Sequence, residues 1–333
     1  MNRNTILIAA MIICALALAA AGAMALSGVF GSIGYGYSDA DKYAAGDAEI
    51  PGDVRNLDIH WISGKISVAY HPENTIILSE TADKPLSEDM KLRWRLDGDT
   101  LRVQFAGPAL RLSWNIHKEL TLTLPQNAAF QRVSMQETSG DMDIPSLQAK
   151  ELSLRVTSGA ISAYVSADII RAEATSGSIR LRADGTAEEV SVSSTSGDIS
   201  LEADSTAKIA VSSTSGSISV RANEAGELQA GSTSGGISAE IGQAGSMTLH
   251  STSGTIRALA QAVRALRINT TSGSVSAFLP ENPGFTARLG TTSGSVDYAL
   301  PLNKQESEYV CGDGSGSVDI HTTSGNIRLE RLE

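Results

Sequence analysis

Thr195-Ser196-Gly197-Asp198-Ile199-Ser200-Leu201 is followed nineteen residues on by Thr214-Ser215-Gly216-Ser217-Ile218-Ser219-Val220, and nineteen further on by Thr233-Ser234-Gly235-Gly236-Ile237-Ser238-Ala239. The pattern, Thr-Ser-Gly with Ile or Val two residues after the glycine, is first complete at Thr138-Ser139-Gly140, with Met142 in the apolar place, and last seen at Thr323-Ser324-Gly325. From Gly140 to Gly273 the steps between motif glycines are 18 to 20 residues. Self-similarity at such a period marks stacked supersecondary units, none of which can bury its apolar face alone.

The apolar positions around each glycine give the local structure. Two residues after it stand Ile161, Ile179, Ile199, Ile218, Ile237, Ile256, Val275, Val296 and Ile327, and four after it Ile144, Leu181, Leu201, Val220, Tyr298, Leu329 or Ala. Five and seven before it are pairs such as Val192 with Val190, Val211 with Ile209, and Ile268 with Leu266. Both sets alternate with period two, so each repeat contributes two strand segments. The inward parity is odd before Ser-Gly and even after it, so the chain must bend there, where glycine tolerates a bent backbone beside a close neighbour. The economical architecture is all-β: a parallel β-solenoid of about 19 residues per rung with rungs ~4.8 Å apart. Ala258 to Leu266 has helical propensity, but the frame runs through it and predicts strand. The end, Arg328-Leu329-Glu330-Arg331-Leu332-Glu333, alternates charge with leucine and is expected to blunt an exposed last rung.

Outward from this array the chain divides into four stretches. Thr5 to Leu26 lacks any charge and is long enough to cross a bilayer as a helix. Arg3 precedes it and no basic residue follows until Lys42, which places the N-terminus inside and the body outside the cytoplasmic membrane. The reading is therefore a transmembrane anchor over 1–27, with Cys14 inside it. The alternative is a signal peptide cleaved near Ala23-Met24-Ala25, which would release a secreted body. Residues 28–50, rich in Gly, Ser, Tyr and Asp, read as a flexible linker. Residues 51–137 contain alternating segments such as Leu92-Arg93-Trp94-Arg95-Leu96 and hold Trp61, Trp94 and Trp114, which predicts an irregular β region continuous with the solenoid. Ile62-Ser63-Gly64-Lys65-Ile66 is a degenerate copy of the motif there. The regular array occupies 138–333.

Composition excludes several functions. A net charge of −11 argues against a nucleic-acid partner, which needs a basic stripe. His60, His71, His117, His250 and His321 are scattered without metal-ligand spacing or a nucleophile partner, so no cofactor or metal is expected. Asp141 and Asp143 share one strand face at i, i+2 and are the one candidate carboxylate pair, with a solvated strand edge as the simpler reading. Stacking would align Thr157, Thr175, Thr195, Thr214, Thr233, Thr252 and Thr271 in one outward column. Such a column is either a hydroxyl ladder satisfying the corner backbone or a regular surface for a repetitive ligand.

The uncharged N-terminal run, the strands ending in Leu120-Thr121-Leu122-Thr123-Leu124-Pro125, the Thr-Ser-Gly-x-Ile series and the terminal Cys311-Gly312-Asp313-Gly314-Ser315-Gly316-Ser317-Val318-Asp319-Ile320 together resemble the bacterial putative-adhesin family, a domain of unknown function. The resemblance covers Pro51 to Glu333. It implies a β-solenoid on the cell surface, in a family associated with envelope-stress operons, and supplies no catalytic residue. The expected function is a non-catalytic binding, adhesin or scaffold module at the cell envelope. Its expected contacts are the membrane, through the N-terminal helix, and an envelope protein or cell-wall glycan. The alternatives are a regulatory part of an envelope-stress system and, behind it, a polysaccharide-active solenoid enzyme.

Overall fold

A computed structural model describes residues 36–108, 116–282 and 284–332. The expected membrane helix, Cys14 and Trp114 lie outside these residues. Among the described residues no helix is long and apolar enough to cross a membrane.

The array is made of long strands that each run through a whole rung: Ile179–Ser196, Ile199–Ser215, Ile218–Ser232, Ile237–Ser253 and Ile256–Ser272. Neighbours pair in parallel with the repeat frame as their register, Ile199 opposite Ile218, Ile218 opposite Ile237 and Ile237 opposite Ile256. Chemically equal positions therefore fall in columns, and a β-solenoid results. In the rung after Gly197 the buried residues are Ile199, Leu201 and Ala203, then Thr206, Ile209, Val211 and Ser213. Ile199, Leu201, Ile209 and Val211 are the inward positions predicted on either side of Ser-Gly, and Ala203, Thr206 and Ser213 join them. The core is a thin aliphatic stack in which each fully buried Ile or Leu contributes about 1.5–3 kcal/mol relative to exposure. Ala258 to Leu266 is strand, as the frame required. The extra residues at Asp184-Gly185 are absorbed inside a strand, as the register shift between Ala183 and Thr186 shows.

The N-terminal region joins the stack and then changes its pairing sense. Asn56–His71 lies parallel to Ala129–Ile144 with Gly64 opposite Gly140, so the degenerate motif is a true rung. On its other side it pairs with Thr100–Gln104 before the corner and Lys118–Pro125 after it. Those two are covered by antiparallel partners, Arg93–Asp97 and Thr75–Ala82. The first described residues are also engaged: Ala44–Ala45 and Ala48–Pro51 pair with Arg93–Trp94 and Thr75–Leu78, and the Tyr37 hydroxyl donates to the Ala106 carbonyl at 3.2 Å.

At the other end the spatial order departs from chain order. Gly316–Ser324 pairs with Ala265–Ser272 on one side and with Phe285–Ser293 on the other. Likewise Ile327–Arg331 lies between Val275–Leu279 and Val296–Tyr298. The last rung in sequence is thus inserted into the stack, and the rung 285–298 is outermost. This corrects the expectation that the charged Leu-containing tail blunts an exposed final rung. The 31-residue step from Gly294 to Gly325 supplies enough chain to turn back. It does so through the antiparallel hairpin Asn303–Gln305 and Glu308–Cys311, which pairs along Phe285–Ala287.

Candidate functional site

The Ser-Gly corner is held by three layers of chemistry. The first is steric. A Cβ on Gly216 would stand 2.1 Å from the Gly197 carbonyl oxygen, and one on Gly235 2.0 Å from that of Gly216, so the close approach of stacked corners, more than φ, requires glycine there. The second is a hydroxyl three residues before the glycine. Ser194, Ser213, Ser232 and Ser251 are buried, and each donates to the carbonyl of the preceding corner glycine at 3.2 to 3.4 Å. Thr322 does the same to Gly273 at 3.1 Å. The third is an acceptor just after the glycine: Asp141 takes the Ala160 N–H at 2.7 Å, and Asp198 the Ser217 N–H at 2.8 Å.

These contacts change the meaning of two candidate groups. Asp141 is bound to the next corner and Asp143 to Lys65 at 3.1 Å, so the two carboxylates are engaged separately. Thr157, Thr175, Thr195, Thr233, Thr252 and Thr271 are exposed and Thr214 is half-buried, all at one repeat position. Among the described residues none of these seven hydroxyls bonds to another protein group. The buried Ser or Thr one residue earlier serves the corner instead. That residue was visible in Ser194-Thr195, Ser213-Thr214 and Ser232-Thr233, but its partner is a backbone carbonyl a full rung away, which no local pattern reveals.

A second surface lies at the opposite turn of the rungs. Arg182, Glu202, Arg221 and Glu240 follow one another in register and, with Asp204 and Asn223, line an open groove of about 580 Å³. Its charges pair internally, Arg182 with Glu202 at 3.6 Å and Arg221 with Glu240 at 3.3 Å. Exposed pairs of this kind add at most about 1 kcal/mol each. No group of three or more His, Cys, Asp or Glu able to hold a metal occurs among the described residues.

The profile of the Toastrack DUF4097 family matches residues 53–261 and, in a second overlapping alignment, 166–330. The chain belongs to the Toastrack DUF4097 family. Two solved structures also align with it. One is described as a putative cell adhesion protein from Clostridium sporogenes, 12% identical, with 87% of this chain and 100% of that one covered and a TM-score of 0.20. The other is described as a putative adhesin from Bacteroides fragilis, 11% identical, with 87% and 97% covered and a TM-score of 0.31. Superpositions at these scores carry no structural argument. A search of curated proteins finds no match.

The Toastrack chain hides a different chemistry in its N-terminal rungs. Lys118 is fully buried, and its ammonium donates to Glu80 at 2.8 Å, to the Met90 carbonyl at 2.6 Å and to the Phe105 carbonyl. It also lies 4.2 Å from the Phe105 ring centre and 5.0 Å from that of Trp61, whose indole N–H donates to the Lys118 carbonyl at 2.9 Å. Burial lowers the lysine pKa while Glu80 opposes the shift. Trp94 is half-buried against the same core. Trp61 is thus a core residue of this N-terminal cap, and Trp94 packs against that core.

Proposed function

We propose that this protein is a non-catalytic binding module of the cell envelope. In this reading residues 5–26 anchor it in the cytoplasmic membrane, and the solenoid stands outside as a stiff rod that holds an envelope protein or a cell-wall glycan. Family membership supports the class of function. The observation that carries the site is the Thr column: seven hydroxyls at one repeat position face outward with no protein partner, while a separate buried hydroxyl series does the structural work. Threonines stacked at ~4.8 Å offer donors and acceptors at a constant interval, which suits an extended partner with its own repeat.

The test is retention of wall polymer and envelope proteins by the full chain, compared with Thr195→Val/Thr214→Val/Thr233→Val. The substitution keeps shape and outward placement, so circular dichroism and melting are expected to be unchanged while retention falls several-fold. Equal retention by both proteins would remove the column from the site. Retention of neither partner class by the wild type would end the binding reading.

A further inference from the structure

The buried place three residues before the corner glycine is filled along the stack by Trp61, Glu137, Val156, Ala174, Ser194, Ser213, Ser232 and Ser251. Glu137 is the ionisable member, and it sits where the irregular cap meets the regular array, with Trp61 as its register partner on one side and Val156 on the other. It is 3% exposed, and neither carboxyl oxygen has a hydrogen-bond partner. The Gly64 carbonyl oxygen and Glu137 Oε1 both lie within 2.2 Å of the point that a Cβ on Gly140 would occupy, so they are close neighbours. In the rungs of Ser194, Ser213, Ser232 and Ser251 the equivalent pair is a hydroxyl donating to a glycine carbonyl, as Ser251 does to Gly235 at 3.2 Å. A carboxylate has no proton to give, so an ionised Glu137 would set acceptor against acceptor in a dry site.

We propose that Glu137 is a neutral carboxylic acid in the folded protein, that its own proton bridges to the Gly64 carbonyl, and that the joint between cap and array is therefore closed by a proton and loosens when that proton leaves. The charged groups around the site agree with this assignment. On the same strand Asp141 adds negative charge while its carboxylate holds the Ala160 N–H. From Asn56–His71, Lys65 turns to Asp143 at 3.1 Å and His60 to Asp58 at 3.0 Å. His117 is taken by the Ser63 hydroxyl at 3.1 Å, and from Lys118–Pro125 the Lys118 ammonium is taken by Glu80. From Gln148–Ser158, Arg155 faces outward to Glu173 at 2.9 Å. Burial, with Asp141 adding to it, pushes the Glu137 acid up to about 8. Because the folded form keeps a proton that the unfolded chain gives up near the ordinary carboxylate value, this contribution to stability is complete below that value and is lost as pH rises through about 8.

The experiment compares wild type with Glu137→Gln, whose amide donates without titrating, and with Glu137→Ser, which installs the residue of the array. Infrared difference spectra should show one protonated carboxyl at about pH 6 that is absent from both variants and bleaches as pH rises past about 8. In urea titrations the folded-to-unfolded ratio of wild type, relative to either variant, should fall by up to about tenfold per pH unit between about pH 5 and 8. The amide protection factors across Asn56–His71 and Ala129–Ile144, that is, the rates corrected for base-catalysed exchange, should fall over the same range in wild type only. A carboxyl already ionised at about pH 6, or the same pH slope in wild type and both variants, would overturn the proposal. So would alkaline stabilisation of wild type alone by added calcium, since that would make the site one for a cation.

Discussion

The array and the cap are built on the same rung and register, yet they bury opposite kinds of group. In the middle of the array, from Ser194 to Ser251, each corner hides one neutral hydroxyl that bonds to a backbone carbonyl, and the rest of the interior is mostly Ile, Val, Leu and Ala. In the cap the interior holds an ammonium and a carboxylate, Lys118 and Glu80, together with Trp61 and Phe105. A rung inside the stack has a neighbour of the same frame on either face, so its polar needs are small and recur from turn to turn. Among the described residues the cap pairs with the array on one side, and on the other it ties antiparallel strands and irregular chain to its face. Lys118 does this with three directed bonds to Glu80, Met90 and Phe105, which no aliphatic side chain could replace.

The contrast can be broken at three places. Ile218→Asp puts an unpaired charge into the aliphatic column between Ile199 and Ile237 and should cost more than about 4 kcal/mol, abolishing the cooperative melt and protease resistance of the array. A soluble, fully resistant variant would refute the inward assignment. Lys118→Ala leaves Glu80 buried with only the Leu92 N–H on its other oxygen and should cost about 3–5 kcal/mol in urea denaturation. Lys118→Met with Glu80→Gln should recover much of that loss, because it removes both charges together; no recovery would mean that the directed bonds, not charge balance, hold the cap. Ser213→Ala removes one hydroxyl of the ladder and should cost only about 1 kcal/mol, read as a small drop in urea midpoint. A loss as large as that of Lys118→Ala would place the ladder on the same footing as the ion pair and erase the distinction.

The period, the corner and the inward set were legible because each is repeated and local: Ile199, Leu201, Val211 and their equivalents obey one frame, and a single rung contains the whole rule. Three features were not. The insertion of Gly316–Arg331 between earlier rungs depends on which partner edge the returning chain meets, and its motif is the same wherever it docks. Lys118 and Glu80 are 38 residues apart in a region without a repeat, so no spacing announces them. Glu137 occupies a place that looks like an ordinary polar residue before Thr138-Ser139-Gly140, and only stacking encloses it.

By itself the sequence determined that this chain is a stack of roughly 19-residue β rungs turning at Ser-Gly, since apolar periodicity and glycine placement are properties of each repeat taken singly. The tertiary structure decided which hydroxyl is spent on the fold, which rung lies outermost at the C-terminal end, and which carboxyl is sealed away from water. Those outcomes depend on the backbone one rung above or below, at a distance along the chain that local chemistry does not encode.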